Sequence, residues 1–178
     1  MAATLSIRQR TGAYVGTVAS QGGTQTDTVI TAPRLCTSDT PNPGLAYPVR
    51  IPTSGTNRSY EAWTFLYADS APAGTINNVK WFTDGSIGYG TGLTLYAGTT
   101  STYSQAAGTE GTTGNDSSVA TTTASTYTTG SPLSVSGSLS NPFNAKISSF
   151  VVLQLDVTSS ASAGTKSAET ITWRCDET

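Results

Sequence analysis

Two segments near the end of the chain alternate strictly between apolar and polar residues, and they leave few architectures open to the rest. In Phe150-Val-Val-Leu-Gln-Leu-Asp-Val157 one parity carries Val151, Leu153, Leu155 and Val157, while the other turns polar at Gln154 and Asp156. In Ser167-Ala-Glu-Thr-Ile-Thr-Trp-Arg-Cys175 the odd positions give Ile171, Trp173 and Cys175, against Thr170, Thr172 and Arg174 on the even side. Successive side chains of a strand point to opposite faces, so each segment predicts a strand with one apolar face. Eight or nine residues at about 3.3 Å each span roughly 30 Å, enough to cross one layer of a sandwich. The soft Ser/Ala/Gly link between them predicts a hairpin whose loop is centred near Ala163. In that register Leu153 faces Trp173, Val151 faces Cys175, Leu155 faces Ile171 and Val157 faces Glu169, with Trp173 in the core.

No segment of helical length places apolar residues at i, i+3, i+4 and i+7, and the alanines lie among Ser, Thr and Gly. Only 11% of the 178 residues are charged, 36% are hydrophobic and 18 are Gly, a turn-rich profile. The expected fold is all-β: an antiparallel β-sandwich of about eight strands, jelly-roll or Ig-like, forming a single domain over residues 1–178. A formal charge of −2 gives no electrostatic reason to expect nucleic acid or an anionic membrane as partner. Met1–Arg10 has no basic stretch leading into an apolar run, and no later stretch could span a bilayer as a helix, so the expectation is retention in the cytosol.

Along the chain, Thr4–Arg10 reads as an edge strand or docking arm, with residues 1–20 as an N-terminal arm. Arg8 and Arg10 either pair with acidic groups on a neighbouring chain or stand in solvent as guards of an edge. Thr40-Pro-Asn-Pro-Gly44 is a loop by turn chemistry, and Val49-Arg50-Ile51 between Pro48 and Pro52 fits only a short edge strand. Ser59–Tyr67 is apolar on both parities, a strand covered on both faces. In Ile76–Thr83 the adjacent Trp81 and Phe82 must point to opposite faces of a regular strand, which marks Trp81 as a candidate exposed ring. Residues 98–130 are rich in Thr, Ser and Gly, with Tyr103 and Tyr127 their only large side chains. Such a stretch predicts an extended loop or arm, ordered by neighbouring subunits with the two tyrosines as anchors. Cys36 and Cys175 are either two small buried apolar residues or a disulfide formed after release from a reducing compartment.

The chemistry is mostly negative. The chain has no His, which removes the commonest general base, the usual orienter of a Ser or Cys nucleophile and the commonest zinc ligand. Asp156 and Glu169 have opposite parity in the expected hairpin and cannot share a carboxylate pair of the glycosidase kind. Asp69, Asp84, Glu110 and Asp116 sit in turn-like stretches. Gly88-Tyr-Gly-Thr-Gly92 lacks the following helix that an anion-binding glycine loop requires. No catalytic residue, cofactor or metal ligand is expected.

Several blocks together resemble a family: Tyr60-Glu-Ala-Trp63, Asn78-Val-Lys-Trp-Phe-Thr-Asp-Gly85, Gly108-Thr-Glu-Gly-Thr-Thr-Gly114, Pro132-Leu-Ser-Val-Ser-Gly137, Phe150–Leu155 and Ile171-Thr-Trp-Arg-Cys-Asp-Glu177. They look like segments of small β-rich structural proteins of tailed-phage virions, head-associated or decoration components. The resemblance implies a non-enzymatic virion part assembled in the host cytoplasm, with other virion proteins of the capsid or neck as partners and a homo-oligomeric state. A carbohydrate-binding sandwich or receptor-binding fibre domain is the alternative, with Trp81, Tyr89 or Tyr96 stacking on sugar faces.

Overall fold

The computed structural model describes residues 2–12 and 24–178. Its strands, in chain order, are β1 (Leu5–Thr11), β2 (Thr26–Val29), β3 (Thr56–Arg58), β4 (Ala62–Ala68), β5 (Thr75–Thr83), β6 (Leu93–Thr100), β7 (Gly108–Thr109), β8 (Thr113–Gly114), β9 (Thr122–Thr123), β10 (Leu133–Ser134), β11 (Leu139–Ser140), β12 (Phe150–Thr158) and β13 (Ile171–Glu177). A single 3-10 turn, Ala124–Thr126, is the helical element among the described residues. The chain is an all-β sandwich of two unequal antiparallel sheets: seven strands in the order β2-β1-β4-β12-β6-β9 with β3 also on β12, and four strands in the order β10-β5-β11 with β13 on the other flank of β5. A small β7-β8 ribbon stands apart from both.

The predicted strand at 150–157 is present and that at 167–175 is present from Ile171 onward, and their apolar parities face the core, but the hairpin between them is not. Leu153 is opposite Ala62 on one side and Ala97 on the other. Trp173 is opposite Trp81. Strand β12 is flanked by β4 and β3 on one side and β6 on the other, so no place beside it remains for β13. The 159–170 link carries the chain across the core into the second sheet, and the two apolar faces meet across the sandwich instead of lying side by side. Period-two alternation specifies which way a side chain points, not which strand lies next to it.

Strand β12 is also buried on both faces. Val151 and Leu153 join Leu66, Leu95, Val79 and Trp81 between the sheets. Phe150 and Val152 belong to a second cluster with Trp63 and Phe65 on the outer face of the large sheet. That outer layer explains the unbroken apolar run Phe150–Leu153 and the double coverage of β4 that its sequence predicts.

What covers the outer face is the first part of the 98–130 segment, up to Ala120, while its second part turns to the core between the sheets, where Ala124 and Tyr127 pack. Gly98 passes so close to the Val119 carbonyl that any Cβ there would collide with it. Ala120, Tyr103 and Val119 pack on the outer cluster. The buried amide of Gln154 fastens the layer: Oε1 accepts from Ser117 N at 2.9 Å, and Nε2 donates to Ser59 O at 2.9 Å and to Asn115 O at 2.7 Å. The expectation of an arm ordered by neighbours is thus corrected to a layer of the same domain. Its few large side chains suffice because the sheet beneath supplies the apolar surface.

Strand β5 departs from regularity at Asn78, whose φ of 50° lies in the left-handed region. Pairing with β13 shifts register across Arg174 and Asp176 there, and the Asn78 amide donates to the Asp176 carboxylate at 2.7 Å. The bulge lets Ile76 and Val79, of opposite parity, both enter the core.

A stapled apolar loop as the candidate site

The residues singled out from sequence are spent inside the chain. Strand β1 lies between β2 and β4, so Arg8 and Arg10 do not guard an edge. Their side chains run over the outer face beside Phe65 and Trp63. Arg8 stacks 3.6 Å from the Tyr67 ring centre and donates to Asp69 at 2.7 Å. Arg10 forks onto both oxygens of Asp27 at 2.6 and 2.7 Å. The rest of the proposed N-terminal arm, residues 13–20, lies outside the described residues. Tyr103 meets Trp63 edge-on at 5.3 Å and donates its hydroxyl to Gly12 O at 2.8 Å, and burial pushes its phenol well up. Tyr127 packs edge-on against Trp81 at 6.0 Å.

Trp81 is not the exposed ring: it is wholly buried, and Phe82 points the other way, toward Arg174. The bulge at Asn78 and the pairing with β13 set this choice, which parity alone leaves open. Cys36 and Cys175 are both free. Cys36 is buried and donates to Ser38 O at 3.3 Å, and Cys175 is half-buried on β13, so the bridge is replaced by two packed thiols. Burial pushes both thiols up from their ordinary range, which makes them poor nucleophiles. Burial likewise raises the Glu61 carboxyl, which accepts from Trp63 Nε1 at 3.2 Å. Among the described residues no three His, Cys, Asp or Glu side chains gather as metal ligands. No helix of the described residues is long and apolar enough to cross a membrane.

The feature that stands out lies in a stretch read from sequence as a loop at Thr40–Gly44 followed by a short edge strand at Val49–Ile51. Between Thr37 and β3 the chain presents three large apolar side chains to solvent: Leu45 at 83%, Tyr47 at 41% and Ile51 at 39% exposure. The Val49–Ile51 stretch is not a strand, because the flanking prolines remove ladder donors. The loop is nevertheless held firmly. The buried Thr37 donates its backbone N–H to Tyr47 O at 2.8 Å and its hydroxyl to the same oxygen at 3.0 Å. Arg34 donates to Gly44 O at 3.2 Å, Ala46 N to Pro43 O at 3.0 Å, and the Asn57 amide to Arg50 O at 2.8 Å. Thr37 is itself anchored, since Gly111 N donates to its carbonyl at 3.1 Å and Tyr60 N to the Cys36 carbonyl at 2.8 Å.

Tyr47 sits at φ 55°, a left-handed conformation that costs a non-glycine residue about 1–2 kcal/mol. The double bond from Thr37 to its carbonyl holds it there. A bulky, strained, solvent-facing aromatic on a pinned loop is the kind of arrangement found where a chain contacts something else. Arg34 and Arg50 are exposed on the same stretch, and it carries no acidic residue from Thr40 to Tyr60. The sequence signal was there to be read: Leu45, Tyr47 and Ile51 are large apolar residues between prolines, where turn chemistry alone calls for polar ones.

Compared with models of known families, with curated proteins and with solved structures, the chain matches none.

Proposed function

We propose that this chain is a non-enzymatic structural protein that docks onto a protein surface through the 41–53 loop, as a capsid-associated decoration or auxiliary subunit of a tailed-phage virion assembled in the host cytoplasm. The observation that carries the docking reading is the set of Leu45, Tyr47 and Ile51, held out in solvent by a loop pinned through Thr37. Exposed apolar groups on a rigid loop lose little freedom on binding, which is what a docking element needs. Arg34 and Arg50 beside them favour a partner whose pocket is rimmed by carboxylates. The virion assignment rests on the resemblance of the strand segments to tailed-phage proteins. The partner on this reading is a capsid or neck protein, with self-association into a homo-oligomer around it.

The glycan alternative needs exposed rings. Trp81 is buried, and Tyr89 and Tyr96 are half-buried against the two apolar clusters, so none of the rings named for that role stands out in solvent as Tyr47 does. Co-sedimentation tests the proposal. Purified protein should travel with capsids and not with tails, while a Leu45→Ser, Tyr47→Ser double variant with unchanged circular dichroism should remain in the supernatant. Equal co-sedimentation of the variant would overturn the role of the loop, and association with tails alone would overturn the capsid placement.

A further inference from the structure

A cavity of about 280 Å³ opens on the outer layer, over the residues that lead into β4. Glu61 and Trp63 line it from the large sheet, and the exposed Thr102, Asn115, Asp116 and Ser118 line it from the covering segment. Its lining is mostly hydroxyl, amide and carboxylate, and no Lys or Arg contributes to it.

Glu61 is the half-buried charge of this lining. Two donors reach its carboxylate. Oε2 accepts from Trp63 Nε1 at 3.2 Å, and the Ser117 hydroxyl supplies the second bond, its own oxygen already accepting from Val119 N at 3.1 Å and Ala120 N at 2.8 Å. A carboxylate has about four lone-pair sites, so roughly half the capacity of this one is unused. No ion pair of the described residues includes Glu61, and its burial, which raises the carboxyl from its ordinary range, is offset by hydrogen bonds alone. The second acid of the lining is no better neutralised. Asp116 meets Arg58 Nε at 3.0 Å, but the same Nε is 3.2 Å from Asp156, so two carboxylates share one guanidinium. With Glu61 the local count is three anions to one cation, which favours a cationic guest. Two carboxylates among neutral hydroxyls and amides suit a spread-out organic cation, whose several N–H groups can each find an oxygen, better than a bare metal ion.

We propose that this cavity receives one guanidinium group, the side chain of an arginine presented by a peptide or protein partner, with the Glu61 carboxylate accepting its N–H groups at the base and Asp116 facing it from the rim. Trp63 Nε1 and the Ser117 hydroxyl hold the Glu61 carboxylate in place for that contact. The site does not use the 41–53 loop and stands or falls apart from it.

The test is a solution titration of the full chain with N-acetyl-arginine amide, N-acetyl-lysine amide and N-acetyl-citrulline amide, the last a neutral group of nearly the same shape as the first. The Trp63 indole cross-peak in the ¹H–¹⁵N spectrum, whose proton lies on Glu61, is followed after assignment. The expected result is a saturable upfield shift of that peak by the arginine compound, with citrulline binding about tenfold and lysine about threefold more weakly. In Glu61→Gln, judged folded by the dispersion of its amide spectrum, the preference for arginine over citrulline should vanish. An unmoved Trp63 peak up to the solubility limit, equal affinity for arginine and citrulline, or equal affinity for arginine and lysine would each overturn the proposal. So would calcium chloride moving the peak at lower concentration than the arginine compound, which would make this a metal site. All four are read on the wild-type chain even if the variant does not fold.

Discussion

Trp81 and Trp173 stand directly opposite each other on neighbouring antiparallel strands, yet only Trp81 is sealed from solvent. Strand β5 is interior, with β10 and β11 on its far flank, whereas β13 has no strand beyond it among the described residues. Replacing Trp81 with Ala should therefore cost about 3–5 kcal/mol, and replacing Trp173 less. Urea melts of the two variants decide it. A larger loss at Trp173 would mean that the indole at position 81 is not the one enclosed.

Gln154 is the fastening between the large sheet and its outer layer. Gln154→Leu keeps the volume but strands Ser117 N and the carbonyls of Ser59 and Asn115, so a loss of about 2–4 kcal/mol is expected. Hydrogen exchange should quicken first at Ser117, Val119 and Ala120, while β5 and β13 keep their protection. Uniform acceleration across both sheets would show that the outer layer and the sandwich unfold as one unit.

The strands were the legible part of this chain, because alternation is a local signal. Val151 and Leu153 face inward as their parity requires, and Ile171 and Trp173 do the same in the other sheet. Neighbour identity was not legible, since β12 could have paired with any strand of matching polarity and loop 159–170 is soft enough to cross the core. The outer layer escaped for a different reason. Residues 98–130 look too polar to fold when weighed alone, and their stability comes from Trp63, Phe65, Phe150 and Val152, which were written into strands far away in sequence. Leu45 and Tyr47 were legible as large apolar residues in a proline-bounded loop, but whether such residues are exposed or buried is a tertiary property that the loop pattern alone does not decide.

The docking loop should separate stability from binding at Tyr47. Glycine there relieves about 1–2 kcal/mol of left-handed strain and gives back about 0.5–1 kcal/mol through the freer unfolded chain, so Tyr47→Gly should melt within a few degrees of wild type. Its co-sedimentation with capsids should nevertheless fall sharply. Thr37→Val, which deletes the hydroxyl bond to Tyr47 O, should cost about 1 kcal/mol and weaken docking less. A Tyr47→Gly protein that docks normally would show the ring to be incidental.

Lys146 has its ammonium 3.4 Å from the Phe150 ring centre and 5.3 Å from that of Phe65, next to Arg10 and Asp27. Burial, aided by repulsion from Arg10, pulls its pKa from the ordinary 10.5 down to about 8, although Asp27 and the ring faces oppose the change. Between pH 8 and 10.5 the unfolded chain holds this proton and the folded one does not, so folding stability gains from this residue as pH rises through that window, and below it the penalty is fully present. Lys146→Met should lack the gain and be the more stable protein at pH 7. Denaturant melts of both proteins at pH 7, 8, 9 and 10 measure it, and parallel pH profiles would show that the amine titrates normally.

The Glu177 carboxylate accepts the backbone N–H of Ala73 at 2.7 Å and that of Ala3 at 3.2 Å, and Thr178 exchanges backbone bonds with Thr75. Both ends of the described chain are thereby tied to one corner, next to Ala68 at the finish of β4, where Leu5 pairs with it. The Thr37–Tyr47 staple lies near Tyr60, beyond the other end of the same strand and roughly 25 Å away at 3.3 Å per residue. A partner gripped at Leu45 and Tyr47 would leave that corner pointing outward, so a peptide or enzyme fused ahead of residue 2 or after residue 178 would be carried on the exterior of whatever the loop holds. On that reading, whatever the loop holds and whatever is fused at the corner stand at opposite ends of β4.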